Sequence, residues 1–321
     1  MFKNEARYRR AYDAARAECP PADAVLDVAT EFGSTRVYRF GEGEPMVLLP
    51  GLSATALSWA PFIPAFAARH RVYAIDTMGE AGMSVATVRM RSARDRVRWL
   101  DGVLGELDLT GVHLVGASSG GCYVAHQAVH APERLARIAL IDPTTVAVGF
   151  SAKVLLYGMV AGLLDRDAVW RRFLRWSADA DVLDRADVQL VLAGIRDFGA
   201  RIPPQLPPER EELRSISLPV LALYAADSVV HDARRAAERT RALIEHAEVE
   251  VWPGVGHFMH LRGADPVTAA DRWFVRQEGY PGLGSSLAPA TVDEDGPARG
   301  FDALVLDGHA GPERITALWS A

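Results

Sequence analysis

A chain of 321 residues with a formal net charge of −6 and a pI near 5.9 offers no basic stripe to a nucleic acid. At 49% hydrophobic residues it can bury a large core, which excludes disorder for most of its length. Its two cysteines, Cys19 and Cys122, are too few for a disulfide scaffold and fit a reduced, cytoplasmic setting.

The opening MFKNEARYRRAYDAARAE is charged, has a helical pattern over about residues 4–18, and lacks the apolar core of a signal peptide. Residues 1–29 are therefore expected to form a helical extension, broken at CPPAD. Two strand-like runs follow, STRVYRFG and PMVLLPG, and the second is apolar throughout, as expected of a strand buried on both faces. Helical WAPFIPAFAARH leads to a third strand, RVYAIDTMG. Over residues 91–108, Val97, Leu100, Val103, Leu104 and Leu107 fall on one helical stripe. The strand VHLVGAS precedes a helix over residues 119–130, and the strand ARIALID comes next. Strands alternating with helices predict an α/β fold, with a mostly parallel central sheet and helices on both faces.

Between residues 145 and 215 the alternation stops. Three helical runs, AKVLLYGMVAGLLD, AVWRRFLRW and DVQLVLAGIRDF, precede the Pro-rich RIPPQLPPER. So long an insertion between core elements reads as a helical cap over a pocket. Residues 146–164 approach the length of a membrane span. A central Lys153 makes insertion costly, so a pocket-covering helix is expected and no stable membrane insertion. The core, begun at residues 30–144, resumes over 216–279 with the strands LPVLALYAAD and AEVEVWPG. Residues 280–321 begin Gly/Pro/Ser/Asp-rich and form a tail with no assigned element.

The chemistry gathers around LVGASSGGCY, residues 114–123, where Ser118 occupies G-x-S-x-G between a strand and a helix. That context is what a nucleophile elbow requires. Serine is a weak nucleophile without a base. Asp227 ends LPVLALYAAD and His257 sits in VWPGVGHFMH, which gives the chain order Ser, Asp, His. Asp142 in LIDPTT is the rival acid, because it too follows a strand, and Asp232 is a further one. His260 is the local rival to His257, His231 could line the pocket, and Asp76 reads as structural. An oxyanion needs donors. The Ser119 amide is one candidate, and the loop after MVLLPG supplies another at Leu52 or Ser53. With no H-E-x-x-H, no paired C-x-x-C and no G-x-G-x-x-G opening a βαβ unit, neither a metal nor a cofactor is expected.

Together VLLPGLSATALSW, AIDTMGEAGMS, VGASSGG, VLALYAADSVV and GVGHF resemble bacterial α/β-hydrolases of the carboxylesterase, proline-iminopeptidase and haloperoxidase-like group, over roughly residues 30–278. The resemblance implies an α/β-hydrolase fold with Ser118 as nucleophile, His257 as base, Asp227 as orienting acid and the amides of Leu52 and Ser119 as oxyanion hole. It also implies a serine hydrolase that cleaves an ester, thioester or small amide through an acyl-enzyme. The helical insertion, rich in Leu, Val, Met and Trp, suggests a small apolar partner, an acyl or aromatic molecule. The alternative is a non-hydrolytic protein of the same fold, either a cyclase, an eliminating enzyme or a ligand binder. Two departures stand out. Pro50-Gly51 replaces the family's usual His-Gly, so something else must hold the oxyanion loop, and Pro50 with its fixed φ is a candidate. GEAGMS is one residue longer between its glycines than the common GxGxS turn.

Overall fold

The computed structural model describes residues 2–177, 182–200 and 202–259, together with Trp273. The charged N-terminal pattern forms helix α1 (Glu5–Glu18), whose first turn is capped by the Asn4 side chain on the Arg7 amide. The extension is not helical to its end. β1 (Ala24–Thr30) pairs antiparallel with β2 (Gly33–Phe40), so residues 24–29 belong to the sheet. In β1 only Val28 is buried, and an edge strand of that kind carries little apolar signal.

The sheet continues with β3 (Glu44–Leu49), β4 (His70–Ile75), the two-residue β5 (Val85–Ala86), β6 (Val112–Ala117) and β7 (Leu135–Ile141). β8 (Val220–Ala225) and β9 (Glu248–Trp252) complete it. The strand order is β1-β2-β4-β3-β6-β7-β8-β9, with β5 on β2. From β4 to β9 along this order every pairing is parallel. The connections are helical: α2 (Ile63–Ala67), α3 (Ala93–Glu106), α4 (Ser119–His130), α5 (Ala152–Leu164), α6 (Asp167–Ser177), α7 (Ala186–Asp197), α8 (Arg210–Arg214) and α9 (Ala233–Leu243).

Side chains alternate across a strand, so each buried strand serves two cores. Val47 and Leu49 of β3 join a cluster with Trp99 and Leu104 of α3, whereas Met46 and Leu48 join another with Tyr8 of α1 and Phe66 of α2. Helices therefore cover both faces, as the alternation of elements predicts. The insertion forms α5, α6 and α7, where Leu174, Val188 and Val191 pack on Ala54 in a small core of their own. Arg7 of α1 pairs with Asp197 of α7 and ties the N-terminal helix to the insertion. Among the described residues no helix is long and apolar enough to cross a membrane.

One buried pair makes the fold sensitive to acid. His70 of β4 and His113 of β6 lie with ring centroids 5.3 Å apart, each about 1% exposed. Burial pushes His70 down to about 4. Burial, and then the neighbouring His70, push His113 down to about 3. Between those values and the ordinary 6.5, the unfolded chain binds protons that the folded chain refuses, so stability falls as pH falls through that window. The melting temperature should drop on acidification from pH 6.5 to 4, and His113→Gln should flatten that slope. An unchanged slope would remove the pair from the account.

Candidate active site

The parallel strands deliver the site. β3, β6 and β7 end at the same edge of the sheet, where open α/β sheets place their ligands. Ser118 sits between the last residue of β6 and the first of α4 with φ 53 and ψ −117, a region that non-glycine residues rarely adopt. The turn closes because a Cβ at Gly116 would overlap the Gly120 backbone, and a Cβ at Gly120 would overlap the Leu49 and Pro50 carbonyls. The pattern G-x-S-x-G is therefore a packing requirement at both glycines.

Ser118 Oγ lies 2.8 Å from His257 Nε2, and His257 Nδ1 lies 2.6 Å from Asp142 Oδ2. His257 comes from the loop after β9 and is buried, and Asp142 is fully buried. The Asp142 carboxylate has further partners. Ser228 Oγ donates to Oδ2 at 2.8 Å, and the Ala225 amide donates to Oδ1 at 3.0 Å. Burial alone would raise the Asp142 carboxyl, but its contacts with His231 and His257 outweigh it and hold the group below the ordinary carboxylate range.

Asp227 is not part of this chain of contacts, which corrects the acid expected from the sequence. It follows β8, one strand further from β6, and it is exposed; its backbone N–H donates to the Val255 carbonyl and so joins two loops. Asp142 follows β7, the immediate neighbour of the elbow strand, so its carboxylate starts closer to the nucleophile. Asp232 is occupied as the N-cap of α9, accepting from the Arg235 amide at 3.0 Å. Asp76 is structural, as expected: it accepts from Tyr12 Oη, the Ala56 amide and the Met83 amide. His260 lies outside the described residues, as does the tail at residues 280–321.

Leu52 and Ser119 border the same cavity as Ser118 and His257. The strand ladder of β3 ends at Leu49, so the Leu52 amide lies beyond it. Ser119 opens α4, where first-turn amides have no partner within the helix. The loop passes close over the nucleophile: a Cβ at Gly51 would lie 3.2 Å from Ser118 Cβ.

A candidate brace for this loop, beside Pro50, is Glu80, whose carboxylate faces the Ser53 backbone N–H. Glu80 belongs to the GEAGMS turn and is 1% exposed. Burial raises its carboxyl, while the Arg96 charge, the Tyr123 hydroxyl and the Ser53 backbone N–H favour its ionised form. Tyr123 Oη donates to Oε1 at 2.5 Å, and the Arg96 guanidinium stacks 3.6 Å from the Tyr123 ring centroid. Ser53 itself is in the left-handed region at φ 61, and the Ala54 amide closes the turn on the Gly51 carbonyl at 3.1 Å. Sequence reasoning missed Glu80 because its signal was only the extra residue in a turn. Glu80→Ala should lower kcat by roughly 10- to 100-fold, as loss of loop position does, with Glu80→Gln retaining more activity. Equal activity in all three proteins would leave the brace without a function.

Above Ser118 stands a cavity of about 530 Å³. Phe150, Val154, Trp170, Phe173 and Leu174 of the insertion line it, and its polar lining includes Lys3, Asp187, Thr144 and Gln205 besides the residues around Ser118. The apolar run at 146–164 thus contributes a wall of this cavity, through Phe150, Val154 and Gly158.

The sequence profile of the alpha/beta hydrolase family matches residues 46–270. The chain belongs to that family. Carboxylesterase YbfK of Bacillus subtilis (strain 168) is 26% identical over 266 residues, which cover 79% of this chain and 88% of that protein. An uncharacterized carboxylesterase, nap, of the same organism is 28% identical over 272 residues, covering 81% and 89%. The crystal structure of naproxen esterase (carboxylesterase NP) from Bacillus subtilis superposes with a TM-score of 0.79 at 26% identity, over 86% of this chain and 99% of that one. This chain is therefore an alpha/beta hydrolase, and its carboxylesterase relatives favour hydrolysis over the non-hydrolytic alternative.

Proposed function

We propose that this hydrolase cleaves esters of apolar acyl or aromatic small molecules through an acyl-enzyme formed on Ser118. The observation that carries the reading is the unbroken chain Ser118 Oγ, His257 Nε2, His257 Nδ1, Asp142 Oδ2, with contacts of 2.8 and 2.6 Å at its two joints. His257 Nε2 takes the Ser118 proton as Oγ attacks the ester carbonyl, then gives it to the departing alcohol. Water attacks the acyl-enzyme by the same route, with His257 again the base and Ser118 the leaving group. Asp142 holds the imidazole in the tautomer whose Nε2 is free to accept, and stabilises the imidazolium that forms. The developing oxyanion is met by the Ser119 and Leu52 amides, with the positive end of α4 behind them.

The lining of the cavity supports the substrate class. A pocket walled by Phe150, Trp170, Phe173 and Leu174 rewards an apolar or aromatic group, because its burial removes apolar area from water on both sides. The test is turnover of p-nitrophenyl esters by the wild-type protein and by Ser118→Ala.

A further inference from the structure

Behind Asp142 stands a second histidine that the mechanism above does not use. His231 Nε2 lies 3.1 Å from Asp142 Oδ1, and the His231 and Asp142 side chains are each 1% exposed. One carboxylate thus lies between two imidazoles, His257 on Oδ2 and His231 on Oδ1. The 3.1 Å approach is within ion-pair distance, but neither His231 ring nitrogen makes a hydrogen bond among the described residues. The carboxylate that Nε2 faces at that distance is Asp142.

The backbone fixes this ring from both sides. The Val230 carbonyl accepts from the Ser151 amide at 2.7 Å, and the Val229 carbonyl accepts from Ser151 Oγ at 2.7 Å. On the other side, Asp232 is the N-cap of α9. The ring meets Tyr224 edge-on, with centroids 5.7 Å apart. Packing against Tyr224 alone would be served by an apolar side chain of similar size, which would avoid the cost of burying an imidazole. The feature that a histidine adds here is a polar nitrogen facing the carboxylate.

We propose that His231 is a positioning residue of the hydrolytic site: its contact with Oδ1 sets the plane of the Asp142 carboxylate so that Oδ2 meets His257 Nδ1. This rests on the Ser118–His257–Asp142 reading. Without His231, Oδ1 keeps the Ala225 amide as its one remaining partner among the described residues, and the carboxylate gains freedom to turn away from His257. Asp142 held below the ordinary carboxylate range accords with this, because the His231 contact is the first of the influences lowering it.

The experiment measures kcat and KM on p-nitrophenyl butyrate for wild type, Asp142→Asn, His231→Ala, His231→Gln and His231→Leu, with melting temperatures alongside. His231→Ala should lower kcat on the order of 10- to 100-fold, as misplacement of a reacting group does, with KM within about twofold. His231→Gln should recover most of that loss, because its amide N–H can reach Oδ1. His231→Leu should not, although it fills the space. If His231→Ala fails to fold, the Gln and Leu variants carry the same comparison. A kcat that tracks melting temperature, with Leu as active as Gln, would make His231 a packing residue and overturn the proposal. Wild-type activity that falls in Asp142→Asn but ignores His231 would sink this inference alone. Indifference to Asp142→Asn would sink the reading beneath it.

Discussion

Asp142→Asn should lower kcat by roughly 10³- to 10⁴-fold, whereas Asp227→Asn should leave it within about twofold, as surface substitutions usually do. An amide at position 142 can present its NH₂ to His257 Nδ1, and the ring then turns over to the tautomer that carries its proton on Nε2. Nε2, now protonated and facing Ser118 Oγ at the 2.8 Å joint, cannot accept the serine proton. The imidazolium of the transition state also loses its buried counter-charge. Among the described residues Asp227 has no such partner: it is exposed, and its backbone N–H bond to the Val255 carbonyl is one that the asparagine variant retains. Steady-state kinetics on p-nitrophenyl butyrate distinguish the two. The reverse outcome would return the acid to the end of β8. A loss in both variants would show that the loop carrying Asp227 positions His257 through Val255.

The elements that could be read from the sequence were those with a local cause. The apolar run of β3 reports burial on both faces, and G-x-S-x-G reports a turn so tight that a side chain at Gly116 or Gly120 would strike backbone. His257 stood out because glycines at 254 and 256 leave it in a loop. The identity of the acid had no local cause. Asp142 and Asp227 both follow apolar strands, and both precede His257. What separates them is that β7 lies beside β6 and β8 does not, a fact of strand order that spacing along the chain does not encode. His231 was masked for the same reason, since its relation to the site runs through Asp142 on a different strand. Glu80 was hidden in a turn, and its role depends on Tyr123 and Arg96 from α4 and α3 arriving beside it. β1 was missed because a half-exposed edge strand blurs the alternation that marks a strand.

The central claim is that Ser118 is an activated nucleophile, and a fluorophosphonate probe at neutral pH tests it most directly. Attack by Oγ on phosphorus expels fluoride and leaves a phosphonyl ester whose oxygen occupies the position of the oxyanion. The reaction needs the base at 2.8 Å, the strained elbow and the amides of Ser119 and Leu52 together, and it needs no knowledge of the natural ester. Intact-protein mass spectrometry should show one adduct per wild-type chain, mapped to Ser118 by peptide sequencing. Labelling should be absent in Ser118→Ala and slowed by orders of magnitude in His257→Ala, with ester turnover falling in parallel, because the members of a triad act as a unit. A wild-type protein that takes up no probe, or that is labelled equally well in Ser118→Ala, would contradict the account.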